Sequence, residues 1–410
     1  MILIVGAGIT GLSVANFLHS KDYLIIEKEK EPGGYCRTIK QDGFTWDYSG
    51  HFFHFRHPDI KDFLVSRMDG QEILTVQKKS KIYYKGTYVD FPFQKNIHQL
   101  PKEDFLECLH DLYFRDGVRG ETFKDMLLSN FGKGICEKFL FPYNEKLYAC
   151  NLDELDKDAM GRFFPRATLD DVIKNFRFPD NSSYNSTFTY PKGGAFEYVK
   201  ALLRDIEPEK VSLGERLLSV DYKSKIAHTD KRSIKYDKLV NTAPFNRLMD
   251  LMGIEYDRSI YIYNKVLVFN LGFDKKGDAE NHWIYFPDRQ VSFYRVGYYD
   301  NIFDDDRMSL YVEISLESNE EYDANSLLEQ TLSDLRGVGL VKNQKLMSWK
   351  AVILDPAYVH INAKAQKDFA SKSVCLKDFG VYTVGRYGGW RYCSIEDNII
   401  EARGICNELA

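Results

Sequence analysis

The amino-acid sequence predicts an α/β fold in three parts: a discontinuous domain around a parallel sheet, a helical insert and an antiparallel β-sheet domain. Three observations lead to this prediction. A short apolar run, a glycine-rich turn and a helical pattern follow one another at the N-terminus. The spacing of apolar residues is helical from about 100 to 178. Stretches between 259 and 316 then alternate between apolar and polar residues, as strands with one buried face do.

The first 27 residues have the pattern of a dinucleotide-binding unit. The apolar run MILIV leads into GAGITG, where Gly6, Gly8 and Gly11 form a G-x-G-x-x-G motif. A helical pattern follows, and a second apolar run, YLII, ends at Glu27. In such a unit the glycines let a pyrophosphate approach the helix N-terminus, and the acid accepts hydrogen bonds from the adenosine ribose. The segment therefore predicts a Rossmann-like domain.

A second glycine pair favours FAD over NAD as the dinucleotide. Gly33 and Gly34, followed by Arg37, resemble the flavin-binding extension of glutathione-reductase-like and amine-oxidase-like flavoproteins. This resemblance implies that the three residues lie against FAD. The segment KLVNTAP (238–244) resembles the strand by which such chains return to the nucleotide domain. We therefore expect a discontinuous FAD-binding domain.

Changes in periodicity give the expected domain bounds. The FAD-binding domain is expected to comprise 1–78, 191–250 and 335–410, the helical substrate-binding domain 96–180, and the antiparallel sheet domain 80–95 and 255–334.

Composition and charge argue against several classes of function. A net charge of -5 provides no overall positive field for nucleic acid. The seven cysteines form no CxxC pair and no cluster at metal spacing, so we expect reduced thiols and no metal site. No apolar stretch reaches the length of a membrane span, and the N-terminus lacks a signal-peptide pattern. We expect a cytoplasmic protein.

Four further segments carry a family resemblance. FPFQKNIHQLPKED (91–104), FLFPYNEKLYA (139–149), HWIYFPDRQVSFYR (282–295) and GRYGGWRY (385–392) resemble, in the same order, motifs of the UDP-galactopyranose mutase family. The match covers nearly the whole chain and is closer to the eukaryotic-type branch.

The resemblance implies a specific reaction. Members of this family are FAD-dependent isomerases that interconvert UDP-galactopyranose and UDP-galactofuranose, a precursor of cell-surface polysaccharides, without net redox change. In the family the N5 atom of the reduced flavin attacks the anomeric carbon and UDP leaves. A substrate of this family or a close nucleotide-sugar analogue is therefore expected.

A diphosphate leaving group requires fixed cations and hydroxyl donors. By the resemblance, Arg295 and Arg162 bind the diphosphate, and Tyr358 and Tyr392 donate hydrogen bonds to the same phosphates. Taken singly, each arginine could instead be a structural ion-pair partner and each tyrosine a core residue. Their co-linear order favours the site.

A uracil ring requires aromatic faces and an amide at its edge. By the resemblance, Phe139 and Phe91 stack on the base, while Gln94 and Asn144 contact its polar edge. Phe91 stands where the family has tyrosine, and Tyr148 where it has tryptophan, which leaves open the base and the sugar. The residues that match the sugar and phosphate pocket are Asn185, Trp283 and Tyr285.

The segment SGHFFHF (49–55) resembles the histidine loop that lies over the flavin ring. His51 matches a histidine shared by both branches of the family, whereas His54 follows the bacterial pattern. Arg386 matches a flavin-contacting arginine that favours negative charge on the reduced ring. No role is assigned to the neighbouring Arg391.

Two other functions remain open at this stage. One is a true FAD-dependent oxidoreductase of the amine-oxidase-like group, and the other is a non-catalytic flavin-bound sensor or binding module. The complete phosphate set favours the mutase over both. The sequence leaves open whether NAD(P)H reduces the flavin and whether the protein is a homo-oligomer.

Overall fold

The computed structural model describes residues 1–115, 117, 120–183 and 186–409. Within these ranges the strands are β1 (Ile2–Val5), β2 (Tyr23–Glu27), β3 (Thr38–Gln41), β4 (Phe44–Asp47), β5 (Ile73–Gln77), β6 (Ser80–Tyr84), β7 (Thr87–Asp90), β8 (Thr187–Pro191), β9 (Val211–Leu213), β10 (Leu217–Asp221), β11 (Ile226–Thr229), β12 (Ser233–Lys235), β13 (Lys238–Asn241), β14 (Tyr263–Phe273), β15 (Trp283–Tyr285), β16 (Arg295–Tyr298), β17 (Ser309–Glu317), β18 (Leu346–Val359) and β19 (Val381–Thr383).

The α-helices in the same ranges are α1 (Ile9–Phe17), α2 (Pro58–Val65), α3 (Lys102–Tyr113), α4 (Phe123–Ile135), α5 (Phe141–Tyr148), α6 (Leu169–Asn175), α7 (Phe196–Leu203), α8 (Phe245–Met252), α9 (Asp300–Phe303), α10 (Ala324–Gly337), α11 (Ala363–Asp378), α12 (Gly385–Gly388) and α13 (Ile395–Leu409). The segment Cys136–Leu140 between α4 and α5 is π-helical.

The parallel sheet has the strand order β19-β13-β1-β2-β9. Its central strand, β1, is apolar and buried at all four positions, because a strand between two neighbours and two helical layers has no face in water. Two strands of this sheet, β13 and β19, come from the middle and the end of the chain. Helix α13 packs against α1. The prediction of a discontinuous Rossmann-like domain is confirmed.

The second large sheet has the order β18-β14-β17-β16-β15-β6-β7 and is antiparallel except where β15 pairs with β6. Residues of β17 alternate between its two faces, as the period of a strand requires. Val312 and Ile314 belong to an apolar core with Leu328 and Leu335 of α10. Tyr311 and Glu313 face the other way, toward the cavity described below. Helices α3 to α6 form the expected helical insert.

Two features differ from the sequence analysis. A small antiparallel sheet, β10-β11-β12, was not expected. Strand β18 pairs with β14 in the second large sheet, although the expected bounds place 335–410 in the FAD-binding domain. The domain bounds otherwise stay a prediction. In the part of the chain that is described, none of the helices combines the length and apolar character needed to cross a bilayer.

Candidate active site

A continuous cavity of roughly 1190 Å³, the main cavity, lies between the two large sheets. Its lining extends from the loop after β1 to strands β16, β17 and β18. The predicted site residues that line it are Gly6, Gly8, Glu27, Gly33, Gly34, Arg37, His51, Trp283, Arg295, Tyr358, Arg386 and Tyr392. Those that do not line it are Gly11, Phe91, Gln94, Phe139, Asn144, Tyr148, Arg162 and Tyr285. Asn185 lies outside the described residues.

The glycine loop presents bare backbone to the cavity. A Cβ atom at Gly11 would lie 1.9 Å from the carbonyl oxygen of Gly6, so only glycine lets α1 start this close to β1. The Gly33 amide donates to the Ala7 carbonyl over 2.7 Å, which holds the second glycine pair against the first loop. The first turn of α1 has amides without intrahelical partners. This end of the cavity therefore suits a phosphate group.

Glu27 and Arg37 are both fixed by backbone groups. The two carboxylate oxygens of Glu27 accept hydrogen bonds from the amides of Ala7 (2.8 Å) and Glu29 (3.0 Å). Arg37 donates to the carbonyls of Glu31 (2.5 Å) and Pro32 (3.3 Å). Each Glu27 oxygen keeps a second lone pair, so the carboxylate can still accept a ribose hydroxyl.

Arg295 is held by a carboxylate on the adjacent strand. The register of β16 and β17 places Arg295 directly opposite Glu313, which is 1% exposed. Arg295 Nε donates to Glu313 Oε2 (2.5 Å), and Nη2 donates to Oε1 (2.8 Å). Burial alone would lower the pKa of Arg295, but Glu313 raises it well above the ordinary value. No acceptor for Nη1 is found among the described residues, so this group can donate to a ligand.

Arg386 has no carboxylate partner in the described part of the chain. Its Nη groups make only long hydrogen bonds, to the carbonyls of Cys393 (3.5 Å) and Ala357 (3.3 Å). Its guanidinium carbon lies 4.7 Å from the ring centroid of Tyr392 and 5.1 Å from that of Tyr358. Its Nε atom is buried and has no hydrogen-bond partner among the residues that the structure describes. Because an enclosed cation without an anion is costly, this geometry suits an anionic ligand.

His51 lines the cavity as a neutral imidazole. Burial is the main reason that its pKa is lowered to about 4, although the Glu313 carboxylate acts in the opposite direction. Its Nδ1 atom is buried and has no hydrogen-bond partner among the described residues. At neutral pH the ring can therefore pack on a flat ligand or exchange one hydrogen bond with it, but it carries no charge.

Arg162 lies in a second cavity of about 960 Å³ that shares Phe163, Tyr392 and Cys393 with the main one. Its Nη2 donates to both carboxylate oxygens of Asp397, each over 2.6 Å. The predicted pair of diphosphate arginines is therefore not assembled in this conformation. Arg162 would have to leave Asp397 to reach the main cavity.

Two of the predicted base-binding residues, Phe139 and Asn144, are packed against other residues of the helical insert and its flanks. Phe139 is 3% exposed, with its ring centroid 4.9 Å from that of Phe93 and 5.2 Å from that of Tyr143. Asn144 donates to the Leu140 carbonyl within its own helix (2.6 Å). These contacts leave no free aromatic face for a uracil in this conformation.

Gln94 and Tyr148, two more of the predicted base-binding residues, are also enclosed. Gln94 donates to the carbonyl of Pro165, while its Oε1 atom is buried without a partner. Tyr148 is 2% exposed, and its hydroxyl likewise has no partner in the described part of the chain. Polar atoms left unpaired inside a protein are costly, so both mark places where a rearrangement or a ligand could supply a partner.

The sugar and phosphate pocket is partly assembled. Trp283 lines the main cavity and donates from Nε1 to the Tyr285 hydroxyl (2.7 Å). The ring of Tyr285 stacks on Phe91 with centroids 5.0 Å apart. Lys78, which the sequence analysis did not single out, lies with Nζ 4.4 Å from the Phe91 centroid and 5.2 Å from that of Trp283. Burial, with a further effect from Arg295, lowers the pKa of Lys78 to about 7.

Several other cavity residues were missed from the sequence. Glu313 and Tyr311 lie two positions apart on one face of β17, and only the pairing of β17 with β16 reveals that they meet the site. A Cβ atom at Gly297, opposite Tyr311, would lie 2.0 Å from the Tyr311 ring, so this glycine makes room for it. Tyr143, which packs on Phe139 and does not line this cavity, could have been found, because it lies four residues after Phe139 and so shares its helical face.

Comparison with known proteins gives relatives that include an oxidase and a probable mutase. The chain is 22% identical over 302 residues to protoporphyrinogen oxidase 2 of Arabidopsis thaliana, covering 61% of this chain and 58% of that protein. It is 25% identical over 190 residues to a probable UDP-galactopyranose mutase of Klebsiella pneumoniae, covering 43% of this chain and 48% of that protein. None of these matches supports the eukaryotic-type branch expected from the motifs.

The fold and the family follow from two broader matches. A crystal structure of reduced UDP-galactopyranose mutase superimposes with a TM-score of 0.90 at 24% identity, covering 100% of this chain and 93% of that one. At this identity the likeness establishes the fold. Residues 9–362 match the flavin-containing amine oxidoreductases, a span of most of the chain. The chain belongs to the family of flavin-containing amine oxidoreductases.

Proposed function

We propose that this protein is an FAD-dependent mutase that interconverts the pyranose and furanose forms of UDP-galactose or of a close nucleotide-sugar analogue. One observation carries the proposal. Arg295 and Arg386 line the same cavity as the nucleotide loop, and Arg386 has no carboxylate partner in the described part of the chain. The diphosphate of a nucleotide sugar would supply the missing negative charge.

FAD is the cofactor that the family implies, and the residues present fit it. The bare glycine loop and Glu27 suit its pyrophosphate and ribose, and the unpaired nitrogen atoms of His51 and Arg386 suit its flavin ring. When bound in its reduced form, FAD supplies a nitrogen nucleophile for the ring isomerisation, and no electrons are consumed overall. NAD(P)H as the reductant belongs to the same proposal, and anaerobic bleaching of the flavin by NADPH tests it.

In this proposal Arg295 binds and orients the diphosphate. Glu313 fixes two of its donor groups and so aims the remaining Nη1 group at the ligand. A leaving diphosphate gains charge as its bond to the sugar breaks, so a cation that is already in place stabilises the transition state more than the ground state.

Tyr358 and Tyr392 supply hydroxyl donors beside Arg386. Their rings stack with centroids 6.0 Å apart and flank its guanidinium. Burial raises the pKa of Tyr358, so its hydroxyl keeps its proton and can donate to a phosphate oxygen at neutral pH. Arg386 then serves both ligands, since its charge favours an anionic flavin ring as well as the phosphate.

The nucleoside end requires a rearrangement. We propose that Phe91, Gln94, Phe139, Asn144 and Tyr148 contact the base after the side chains around them repack. Arg162 would join the diphosphate once released from Asp397. Trp283, Tyr285 and Asn185 complete the proposed sugar pocket.

The alternative is an FAD-dependent oxidoreductase, and the protoporphyrinogen oxidases among the relatives favour it. A porphyrinogen carries propionate groups, which arginines in the cavity could also bind. A small cationic amine fits less well, because Arg295 and Arg386 would repel it. The oxidoreductase would transfer electrons from its substrate to oxygen, whereas the mutase reaction has no net redox change. A measurement of electron transfer therefore distinguishes the two activities.

The test is an isomerisation assay. The purified FAD-loaded protein is reduced anaerobically with dithionite and offered UDP-galactopyranose and a panel of UDP-, dTDP- and GDP-sugars, with the oxidised protein as control. A furanose isomer formed only by the reduced protein would support the mutase. Oxygen consumption with a porphyrinogen or an amine, and no isomer from any donor, would instead establish the oxidoreductase.

A further inference from the structure

Lys146 of α5 is enclosed by backbone carbonyl groups. Its Nζ atom donates to the carbonyl oxygens of Phe286 (3.0 Å), Asp288 (2.8 Å), Val291 (2.8 Å) and Phe293 (2.6 Å). An ammonium group has three N–H donors, so all of them are shared among these four acceptors. The contact therefore uses the full hydrogen-bonding capacity of the side chain.

The four carbonyls belong to the loop between β15 and β16, and Arg295 is the first residue of β16. Among the described residues, the Asp288 carbonyl also accepts from the Val291 amide (3.3 Å), whereas no such loop hydrogen bond is made by the other three, and carbonyls left without partners are costly. The ammonium group of Lys146 donates to all four carbonyls and so fixes the course of the loop that leads into Arg295.

The end of α5 is also hydrogen-bonded to β14 and β17, two strands of the second large sheet. The Leu147 carbonyl accepts hydrogen bonds from Asn264 Nδ2 and Ser315 Oγ, each over 2.8 Å. Asn264 Oδ1 in turn accepts from the Tyr358 amide (2.9 Å). Helix α5, which carries the proposed base-binding residues Asn144 and Tyr148, is thus hydrogen-bonded to β17, which pairs with the strand of Arg295, and to β14, which pairs with the strand of Tyr358.

We propose that Lys146 is a positioning residue: it holds the loop before Arg295 so that the arginine meets the diphosphate at a fixed distance from the base-binding helix. This role rests on the proposed function. It predicts that Lys146 acts on ligand binding through Arg295, and not merely through the stability of the fold.

A neighbouring contact provides a matched control. Arg289, in the same loop, forms an ion pair with Glu145 of α5, but its side chain is 68% exposed. A surface ion pair contributes little. If any link between the loop and α5 were sufficient, Arg289→Gln and Lys146→Met would have similar effects.

The experiment is a double-mutant cycle on UDP affinity, read from the absorption spectrum of bound FAD. The variants are Lys146→Met, Arg295→Ala and the double variant, with Arg289→Gln as control. We expect Lys146→Met to weaken UDP binding by about tenfold or more in the wild-type background, and to have no further effect once Arg295 is absent. The FAD content should stay at the wild-type value, and Arg289→Gln should bind UDP with wild-type affinity. Should Lys146→Met fail to fold, Lys146→Gln, which keeps two donors, is measured in the same cycle.

Two results would overturn the role. Wild-type UDP affinity in Lys146→Met would show that the carbonyl contacts do not position the site. Losses that multiply in the double variant would show that Lys146 acts independently of Arg295. Failure of the wild-type protein itself to bind UDP would overturn the proposed function, and this outcome is distinguishable because it appears before any substitution.

Discussion

The sheet side of the main cavity and the helical insert hold their functional residues differently. On the sheet side, strand register sets Arg295 opposite Glu313, and backbone carbonyls hold Arg386. In the insert, Phe139 packs on Phe93 and Tyr143, and residues predicted to contact the base have little exposed surface. Strand pairing therefore orders the residues of the sheet side before a ligand binds, whereas side chains pack against one another in the helical insert when no ligand is present.

This difference indicates that the two regions have different functions. Groups that stabilise developing charge act best when they need no reorganisation, which describes the sheet side. Groups that select a base can tolerate rearrangement, because binding energy compensates for its cost. Four substitutions test whether the two halves differ in this way.

Arg295→Ala should have the largest effect. We expect a loss of about 2–4 kcal/mol of transition-state stabilisation, that is, kcat/KM lower by about 30- to 900-fold, with FAD still bound. Steady-state kinetics on the reduced enzyme measure it. The exposed Arg289 of the same loop serves as control in Arg289→Ala. Near-normal turnover of Arg295→Ala would show that this arginine has no part in the mechanism. It would also contradict the role given to the sheet side in stabilising charge.

His51 should make the free energy of unfolding depend on pH. The unfolded chain protonates a histidine near pH 6.5, whereas folded His51 stays neutral down to a pKa of about 4. Its contribution to stability is therefore lost as pH falls from about 6.5 to 4, because the unfolded state then binds the extra proton. At pH 5 this amounts to about 2 kcal/mol.

Thermal unfolding of the FAD-loaded protein at pH 7 and pH 5 measures this contribution. His51→Asn should lose less stability between the two pH values than the wild type does. Equal losses in both proteins would show that His51 titrates normally and that this part of the cavity is open to water.

Arg386→Met should alter the flavin more than the fold. Removing a cation without a carboxylate partner costs the apoprotein little, or stabilises it. Loss of the charge should lower the reduction potential of the bound flavin by about 30 mV or more, equivalent to about 1.4 kcal/mol for two electrons. Potentiometric titration measures this shift. Arg391→Met, which removes the neighbouring arginine paired with Glu401, is the matched control. An unchanged potential in Arg386→Met would mean that Arg386 does not act on the flavin.

Asp397→Asn should give the smallest effect. An asparagine oxygen can still accept from Ser394 at the start of α13, but it no longer holds Arg162 as a charge pair. If Arg162 is used in the closed site, KM should fall by about two- to fivefold, the scale of a partly exposed ion pair. Asp158→Asn, a change in the same second cavity, is the control. An increased KM would show that Asp397 supports the site and does not compete with it.

The sequence predicted what depends on local pattern. The glycine loop and strands β1 and β2 of the parallel sheet follow from residue type and spacing, because each needs particular backbone geometry or burial. Arg295 and Arg386 could likewise be proposed from motifs. Both line the main cavity.

What the sequence could not supply depends on register and side-chain packing. Glu313 becomes the partner of Arg295 only when β16 pairs with β17. The ion pair of Arg162 with Asp397 joins residues more than two hundred positions apart. The carbonyl contacts of Lys146 involve a loop whose path is set by tertiary structure, and no spacing rule anticipates them.

The most direct test of the account is positional isotope exchange in UDP-galactopyranose labelled with ¹⁸O between the sugar and the β-phosphorus. If the reduced enzyme breaks and re-forms the bond from the anomeric carbon to that oxygen, the label moves into non-bridging positions, as ³¹P NMR detects. The account predicts exchange with the reduced protein alone, without oxygen consumption, and much slower exchange in Arg295→Ala. A label that stays in the bridge while UDP-galactopyranose is bound would contradict the mutase mechanism.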